Sequence, residues 1–183
     1  MFITNYIKNE FGSKRGLLNA VSHFIKSMFG AYKKHQQVSL HKSTRFVFIC
    51  SGNICRSPLA EYVAKQQGAQ AISFGLHTRG GDSADERAIA FAKTQGIDLT
   101  PHVTQNISQY IPQPNDVLVG MEPQHAKELE ALFNNSVPIT LAGVWLNKKQ
   151  AYIHDPYNAN AHFFNNCEQQ VLLAVTQLVA KCQ

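Results

Sequence analysis

From residue 45 to the end of the chain, short apolar runs of strand length alternate with stretches in which apolar residues recur at helical spacing. The predicted strands are residues 45–50, 71–75, 116–121 and 137–141, and the predicted helices are residues 58–67, 83–95, 123–133 and 161–181. Alternation of this kind is typical of a parallel sheet covered by helices on both faces. We therefore predict a three-layer α/β fold whose central four-stranded parallel sheet binds ligands beyond the carboxyl ends of its strands.

Residue types at the predicted helix ends support these boundaries. Ser83 and Glu86 have the spacing of a capping box, in which the two side chains bond free backbone N–H groups of the first turn. Pro58 and Pro123 suit the first turn of a helix, where a missing N–H is not needed. Gly96 suits the residue just after a helix. The second predicted helix, residues 83–95, is therefore expected to begin at a cap near Ser83 and to stop before Gly96.

The first 44 residues carry a different pattern and are predicted to form a basic N-terminal extension to a domain of residues 45–183. Apolar residues recur there at helical spacing, with basic residues at the ends and on the other face: Leu17, Val21, Phe24, Ile25, Met28 and Tyr32 against Lys14, Arg15, Lys26, Lys33 and Lys34. The arrangement predicts a basic amphipathic helix within residues 14–34. Three outcomes stay open for it: packing on the domain or on a second copy, contact with an anionic membrane surface, and disorder in isolation.

Charge is concentrated in the same segment. Residues 1–45 hold eight basic residues and one acidic residue, a net charge of +7, so the formal charge of +5 for the whole chain leaves −2 for the remainder. Since the basic character belongs to one quarter of the chain, it does not indicate a nucleic-acid-binding domain. Nucleic acid is not an expected partner.

Composition sets further bounds. The 183 residues are 44% hydrophobic and 16% charged, which suits one folded domain and a short extension. The sequence has no run of roughly 18 apolar residues for a membrane span, and polar residues interrupt the first eleven residues, where an export signal would lie. Its four cysteines are too few for a disulfide scaffold. We expect a cytoplasmic protein.

The candidate chemistry follows the first predicted strand directly. The segment Cys50-Ser51-Gly52-Asn53-Ile54-Cys55-Arg56-Ser57-Pro58 passes through a short loop into a helix start. Backbone N–H groups of residues 51–56 can point inward together, the helix dipole adds positive potential, and Gly52 and Asn53 tolerate unusual backbone angles. The loop is predicted to bind an anion. It lacks the Gly-Lys-Ser/Thr ending of a nucleotide-binding loop.

Three side chains indicate what the loop does with an anion. Cys50 opens it, where the N–H groups and the dipole stabilise a thiolate nucleophile. Arg56 closes it with a planar guanidinium that can hold two phosphoryl oxygens, and Ser57 can donate a hydrogen bond to the sulfur. The spacing predicts attack on a bound phosphate monoester. On Cys50 and Arg56 alone, a buried strand-end cysteine and an unrelated surface arginine remain an open alternative.

This loop resembles the signature of the low-molecular-weight protein tyrosine phosphatases, Cys-x-Gly-Asn-x-Cys-Arg-Ser-Pro, and the match continues through Ala60 and Glu61. A second family motif, Asp-Pro-Tyr near the carboxyl end, matches Asp155-Pro156-Tyr157. Shorter landmarks lie between the two motifs, at residues 73–75, 85–88, 96–98, 102 and 120–122. The resemblance covers residues 45–183 and leaves residues 1–44 outside.

The resemblance implies a catalytic role for three residues. Cys50 is the nucleophile that forms a phosphocysteine intermediate, and Arg56 with the backbone of residues 51–56 binds the phosphoryl group. Asp155 protonates the leaving oxygen and then activates water for the second step. The implied activity is hydrolysis of phosphotyrosine in proteins. Bacterial relatives are commonly partnered with tyrosine kinases that control exopolysaccharide production, which is the partner expected here.

Other residues are assigned supporting roles. His102 is expected to support the loop, and Tyr157 is expected at the substrate rim. Tyr157 and Trp145 are candidate walls for an aromatic ring, although core packing explains Trp145 equally well. Gln105 and Glu122 depart from the family pattern, which has Arg and Asp there, and both are expected to lie away from the chemistry.

The cysteines outside the nucleophile position carry separate expectations. Cys55 is a candidate redox partner, because a disulfide with oxidised Cys50 would protect the latter from irreversible oxidation; simple loop packing is the open alternative. Cys167 and Cys182 are expected to be structural. Because Cys50 and Cys55 lack the compact second pair that zinc requires, no metal is expected, and no cofactor.

Three alternative functions are compatible with this fold or loop. Arsenate reductases need two further cysteines in the middle of the chain, and none lies between Cys55 and Cys167. Protein-arginine phosphatases resemble a version with Thr in place of Ile54, whose apolar side chain favours a phenyl ring over a guanidinium. A non-enzymatic phosphoprotein-binding module would lack one of the three catalytic candidates, and all three are present. Tyrosine phosphatase remains the predicted function.

Overall fold

The predicted α/β class is confirmed in a computed structural model that describes residues 2–182, and the side chains of residues 5–182. A parallel four-stranded sheet has the strand order β2-β1-β3-β4. The strands are β1 (Arg45–Cys50), β2 (Gln70–Gly75), β3 (Asp116–Gly120) and β4 (Ile139–Leu141). The α-helices of the described residues are α1 (Phe2–Phe11), α2 (Lys14–Met28), α3 (Arg56–Gln66), α4 (Glu86–Thr94), α5 (Pro123–Phe133) and α6 (Ala161–Val179).

The two central strands place the candidate loop. Alternate residues of β1 enter different apolar clusters, because successive side chains of a strand point to opposite faces of the sheet. Phe46 and Phe48 pack in the cluster that contains residues of α3 and α6, whereas Val47 and Ile49 pack in the cluster that contains Leu129 of α5. Helices therefore cover both faces, and β1 delivers its last residue to the carboxyl edge of the sheet.

The residues predicted at helix ends lie where expected, except at the start of α4. Gly96 follows α4 with a φ of 71°, and Pro123 is the first residue of α5. The capping box predicted at Ser83 is wrong: Asp85 is the N-cap, and its carboxylate accepts from the Arg87 N–H at 2.9 Å. Ser83 instead forms an isolated antiparallel bridge with a residue of the following loop, so its backbone is committed elsewhere.

The N-terminal extension packs on the domain through the face opposite its apolar stripe. Gly16 is buried and His23 is half-buried, whereas the exposed apolar side chains are Leu18, Val21, Phe24, Ile25, Met28 and Phe29. Tyr32, which was predicted to continue the stripe, lies beyond the end of α2 and is buried. The short 3₁₀ turn Lys33–Gln36 then joins the sheet edge, where the Thr140 hydroxyl donates to the His35 carbonyl. Within the described residues, no helix combines the length and the apolar character of a membrane span.

Candidate active site

Cys50 and Arg56 occupy the two ends of the predicted loop, between β1 and α3, and both are almost fully buried. The Asn53 backbone N–H donates to the Cys50 sulfur at 3.2 Å, and the Ser57 hydroxyl lies 3.1 Å from the same atom. Both groups can donate to sulfur, which is the environment that a thiolate requires. The loop therefore has the predicted nucleophile surrounded by donors.

Asn53 holds the loop in shape. Its φ of 57° lies in the left-handed region, which asparagine tolerates better than most residues. The buried side-chain amide donates to the hydroxyls of Ser57 at 2.8 Å and Ser73 at 2.9 Å, and its oxygen accepts from the Gln105 N–H at 2.8 Å. The Asn53 carbonyl lies 2.8 Å from Nε2 of His102. Because a carbonyl only accepts, Nε2 of His102 carries the hydrogen, as expected of a supporting residue.

The direction of the next hydrogen bonds leaves one hydrogen for the sulfur. The Ser73 hydroxyl donates to the Glu61 carboxylate at 2.6 Å, so it accepts from Asn53. The Ser57 oxygen also accepts from Asn53, which leaves its own hydrogen free. That hydrogen can point at Cys50, 3.1 Å away, or more weakly at the Phe74 carbonyl, 3.4 Å away. The network therefore favours Ser57 as a donor to sulfur.

The Arg56 guanidinium is bound on two sides by carboxylates. Nη1 donates to Glu122 at 2.5 Å and to the Ile153 carbonyl at 3.0 Å, and Nη2 lies 3.0 Å from the Asp155 carboxylate. Burial acts to lower the pKa of Arg56, but Asp155 and Glu122 raise it above its usual value. The expectation that Glu122 lies away from the chemistry is wrong. It follows β3, whose carboxyl end reaches the same sheet edge as that of β1.

One cavity joins the predicted side chains. Its volume is about 250 Å³, and its lining consists of Cys50, Ser51, Gly52, Ile54, Cys55, Arg56, His77, Asp155, Tyr157 and Asn158. His77 and Asn158 were not predicted as lining residues. The Asp155 side chain is 44% exposed, and Tyr157 is exposed at the rim. Trp145 is not part of this lining: it packs against the core, and its indole N–H donates to the Thr140 hydroxyl at 2.9 Å. The packing alternative holds for Trp145.

His125 supports the loop from α5, and the sequence pattern did not single it out. Its Nδ1 accepts from the Met121 N–H at 3.3 Å, and Nε2 lies 3.2 Å from the Ser51 hydroxyl. Burial, with the nearby Arg56 charge, lowers the pKa of His125 to about 3. The ring is therefore neutral at neutral pH, with its hydrogen on Nε2, and adds no charge beside the arginine.

Comparison with known proteins gives a consistent result. Residues 45–183 match the family described as low molecular weight phosphotyrosine protein phosphatase. The low molecular weight protein-tyrosine-phosphatase Ptp of Acinetobacter johnsonii is 34% identical over 120 residues, 64% of this chain and 82% of the relative. The structure of Erwinia amylovora tyrosine phosphatase AmsI has a TM-score of 0.66 at 28% identity, and the match covers 80% of this chain and 97% of that one. Vibrio vulnificus Wzb, solved in complex with benzylphosphonate, has a TM-score of 0.66 at 27% identity over 76% and 99% of the two chains.

A carboxyl group lies buried behind the loop without a partner. Glu168 of α6 has no exposed surface, and neither carboxyl oxygen has a hydrogen-bond partner among the described residues. Burial raises the pKa of Glu168 to about 8, and burial also raises the pKa of the neighbouring Cys55 and Cys167 thiols. All three groups are therefore protonated at neutral pH, and Arg56 keeps the carboxylates of Glu122 and Asp155 as its partners.

Glu168→Gln should change how stability depends on pH. The unfolded chain releases this proton near pH 4.5, whereas the folded chain retains it to about pH 8. Between these values the parent loses stability with rising pH, by up to about 1.4 kcal/mol per pH unit from this group alone. The variant lacks this titrating group. The difference in unfolding free energy, variant minus parent, should therefore increase with pH between pH 5 and 8, by up to about 1.4 kcal/mol per pH unit.

Urea unfolding at several pH values measures this difference. Glu86→Gln, on the exposed start of α4, is the matched control and should follow the parent slope. Parallel curves for Glu168→Gln and the parent would contradict the protonated state of the buried carboxyl.

Proposed function

The chain belongs to the low molecular weight phosphotyrosine protein phosphatase family, and we propose that Cys50, Arg56 and Asp155 hydrolyse phosphotyrosine in proteins. One observation carries the assignment of residues. A nucleophilic sulfur surrounded by donors, a buried guanidinium and a half-exposed carboxyl group line the same cavity of about 250 Å³. Each step of phosphate transfer has a group in reach.

The first step transfers the phosphoryl group to the enzyme. The Cys50 thiolate attacks phosphorus, an S–P bond forms, and the P–O bond to the tyrosine breaks with its electron pair on the phenolic oxygen. That oxygen takes the proton of the Asp155 carboxyl group, because a phenolate leaves poorly without one. Arg56 and the loop N–H groups stabilise the charge on the remaining phosphoryl oxygens.

The second step releases phosphate. Water attacks the phosphorus of phosphocysteine and gives a proton to the Asp155 carboxylate as the S–P bond breaks. The thiolate of Cys50 and the protonated acid are restored together, and inorganic phosphate leaves. Before substrate binds, the Asp155 carboxylate is paired with Arg56 at 3.0 Å. The phosphoryl group replaces it as a partner of the guanidinium, and the released carboxylate takes a proton from solvent, which it then gives to the leaving oxygen in the first step.

The cavity walls favour an aryl phosphate. Ile54 provides an apolar wall in the loop, and Tyr157 provides an exposed ring at the rim. Vibrio vulnificus Wzb binds benzylphosphonate, in which a methylene group joins a phenyl ring to the phosphonate. We place the substrate among phosphotyrosine proteins, specifically a bacterial tyrosine kinase of an exopolysaccharide pathway, and the reaction in the cytoplasm.

Cys55 is proposed to protect the nucleophile from overoxidation. Both cysteines are free, buried and part of the lining of the same cavity. Hydrogen peroxide converts the Cys50 thiolate to a sulfenic acid; the Cys55 sulfur then attacks the oxidised sulfur, an S–S bond forms and water leaves. A thiol reductant restores both thiols. Because burial raises the pKa of Cys55, its sulfur is present as a protonated thiol.

The exposed face of α2 is proposed to contact an anionic membrane surface peripherally. Its apolar side chains are unusually open, with 73% of Met28 and 87% of Phe29 exposed. Basic residues surround them, and residues 1–45 carry a net charge of +7 from eight basic residues and one acidic residue. Self-association through residues 14–34 would bring two such charged segments together, whereas anionic lipid headgroups complement them. The charge therefore favours the membrane.

Three proteins test the catalytic assignment: the parent, Cys50→Ser and Asp155→Ala. We expect the parent to hydrolyse p-nitrophenyl phosphate and a phosphotyrosine peptide near pH 6, and Cys50→Ser to hydrolyse neither. Asp155→Ala should lose about 10²-fold or more on the peptide and less on the activated phenol, which needs no proton to leave. Asp82→Ala, an exposed carboxylate outside the cavity lining, should match the parent. An inert parent that still binds phosphate would indicate a binding module instead.

A Cys55→Ser variant tests the protective role. After peroxide and then thiol treatment, the parent should recover most of its activity and the variant only a minor part, because its Cys50 oxidises further. Cys182→Ser, which removes a half-buried cysteine distant in sequence, is the control and should recover as the parent does. Equal recovery of Cys55→Ser would leave Cys55 a loop-packing residue.

Sedimentation with vesicles of equal parts phosphatidylglycerol and phosphatidylcholine tests the membrane contact. We expect the parent to pellet at low salt and Phe24→Ser/Met28→Ser/Phe29→Ser to bind at least tenfold more weakly, since each large apolar side chain contributes about 1.5–3 kcal/mol when fully buried. Ile111→Ser/Leu132→Ser removes exposed apolar side chains outside the extension and should pellet as the parent does. A parent that stays in the supernatant and elutes as a dimer, which the triple variant dissociates, would show a second copy as the occupant.

A further inference from the structure

The extension contacts both ends of the segment that carries Asp155. This segment, residues 152–160, connects the 3₁₀ turn Ala142–Trp145 and its following loop to α6. It contains the carboxyl group that meets Arg56. Any element that fixes its two ends also limits where that carboxyl group can lie.

The contacts at the first end come from one face of α2. The His23 ring stacks on the Tyr152 ring, with centroids 5.0 Å apart and planes at 16°, and the Asn19 amide donates to the Tyr152 hydroxyl at 3.4 Å. A Cβ atom at Gly16 would lie 3.2 Å from the His154 ring, so the helix backbone itself rests against the residue before Asp155. Glycine permits that approach.

The rings in this contact are held from both sides. The Tyr152 hydroxyl lies 2.5 Å from Nδ1 of His154. On the other side, Nδ1 of His23 lies 2.6 Å from the hydroxyl of the buried Tyr32. Two hydrogen-bonded pairs, Tyr32 with His23 and Tyr152 with His154, are therefore joined by the stacked rings of His23 and Tyr152. The series runs from the extension to the residue next to Asp155.

The contacts at the second end come from α1 and the turn that follows it. The Asn160 amide, at the N-cap of α6, donates to the Asn9 side chain at 3.0 Å. A Cβ atom at Gly12 would lie 2.8 Å from the buried Phe163 ring. Phe163 in turn meets the His154 ring edge to face, with centroids 5.3 Å apart. The contacts at the two ends of the Asp155 segment therefore meet at His154, which lies under the extension.

The domain holds the opposite side of the same segment. The Ile153 N–H donates to the Met121 carbonyl at 2.9 Å, and its carbonyl accepts from Arg56 at 3.0 Å. Ile153 is fully buried in the domain core, whereas its neighbours Tyr152 and His154 are half-buried under α2. The extension thus covers the side chains that the domain leaves uncovered.

We propose that residues 9–23 of the extension position Asp155 for proton transfer, through His23 and Tyr152 above all. The extension lies outside the family match, which begins at residue 45, so this chain adds a brace to a complete domain. The inference rests on the proposed role of Asp155 as the general acid. Displacement of a catalytic group by about 1 Å can cost about 10²-fold in rate, so loss of part of the brace should cost about tenfold where the proton matters.

The test compares variants of the full chain on two substrates. His23→Ala removes the stacked ring. Tyr152→Phe removes only the hydroxyl that meets Asn19 and His154, so it keeps the inference testable if His23→Ala misfolds. Tyr6→Ala, which removes a ring from an exposed position of the extension, is the matched control. Each is measured on phenyl phosphate, whose leaving group needs a proton, and on p-nitrophenyl phosphate, in vesicle-free buffer.

His23→Ala should lower kcat on phenyl phosphate about tenfold with little change in KM, and lower p-nitrophenyl phosphate hydrolysis much less. Tyr152→Phe should shift in the same direction by a smaller factor, and Tyr6→Ala should match the parent. A general loss of folded enzyme would lower both substrates equally. Selectivity for the poorer leaving group is therefore the signature of positioning.

Combination with Asp155→Ala separates the possible failures. In that background, His23→Ala should have no further effect, because the residue that it positions is gone. A further loss of activity in that background would overturn the inference. So would a result in which Asp155→Ala loses more activity on phenyl phosphate than on p-nitrophenyl phosphate, while His23→Ala and Tyr152→Phe both behave as the parent does on the two substrates. If Asp155→Ala lowers the hydrolysis of both substrates equally, Asp155 is not the general acid, and the brace then positions no catalytic residue.

Discussion

The buried guanidinium of Arg56 is the constraint on which the site depends. A cation with 1% of its surface exposed is stable only if anionic or polar groups surround it. Here they come from two parts of the chain: the loop after β3 supplies Glu122, and the Asp155 segment supplies a carboxylate and the Ile153 carbonyl. The charge of one residue at the start of α3 thereby draws the acid segment to the end of β1. The contacts that compensate the buried charge are therefore also the contacts of the proposed catalytic residues.

The protonation states around Arg56 follow from the same constraint. Burial lowers the pKa of His102 and His125, so both rings stay neutral and act only through their hydrogen bonds to the loop. Burial raises the pKa of Glu168 to about 8, which keeps a third carboxyl group from competing for the arginine at neutral pH. The site therefore has one fixed cation and two carboxyl partners, of which Asp155 is the more exposed. The exposed partner is the one that an incoming phosphoryl group can replace.

Apart from the N-cap of α4, the sequence predicted what local chemistry determines, and it missed what distant chain segments determine. The loop is a single contiguous segment, and the turn after α4 needs only Gly96, so both can be predicted from a few neighbouring residues. Glu122 was misjudged because its partner Arg56 is 66 positions away, and His125 went unnoticed because its contact with Ser51 spans 74 positions. The amphipathic pattern of α2 identified a helix and its apolar stripe. It could not show that the opposite face, with Gly16 and His23, would be the one that docks, since close approach and ring stacking leave no periodic signal.

The two faces of α2 make the proposed membrane contact and the proposed brace separable in physical terms. Gly16 and His23 meet the Asp155 segment, whereas Phe29 and Met28 stay exposed, so an anionic surface can bind the outer face without removing a contact from the inner one. A bound surface changes the position of Asp155 only if it binds the helix more tightly in one placement than in another. If α2 rests on lipid in the placement seen here, binding stabilises the brace. If lipid requires the helix to lift from Tyr152, binding weakens the brace, and the stacked His23 ring is the contact that sets how much free energy that movement costs.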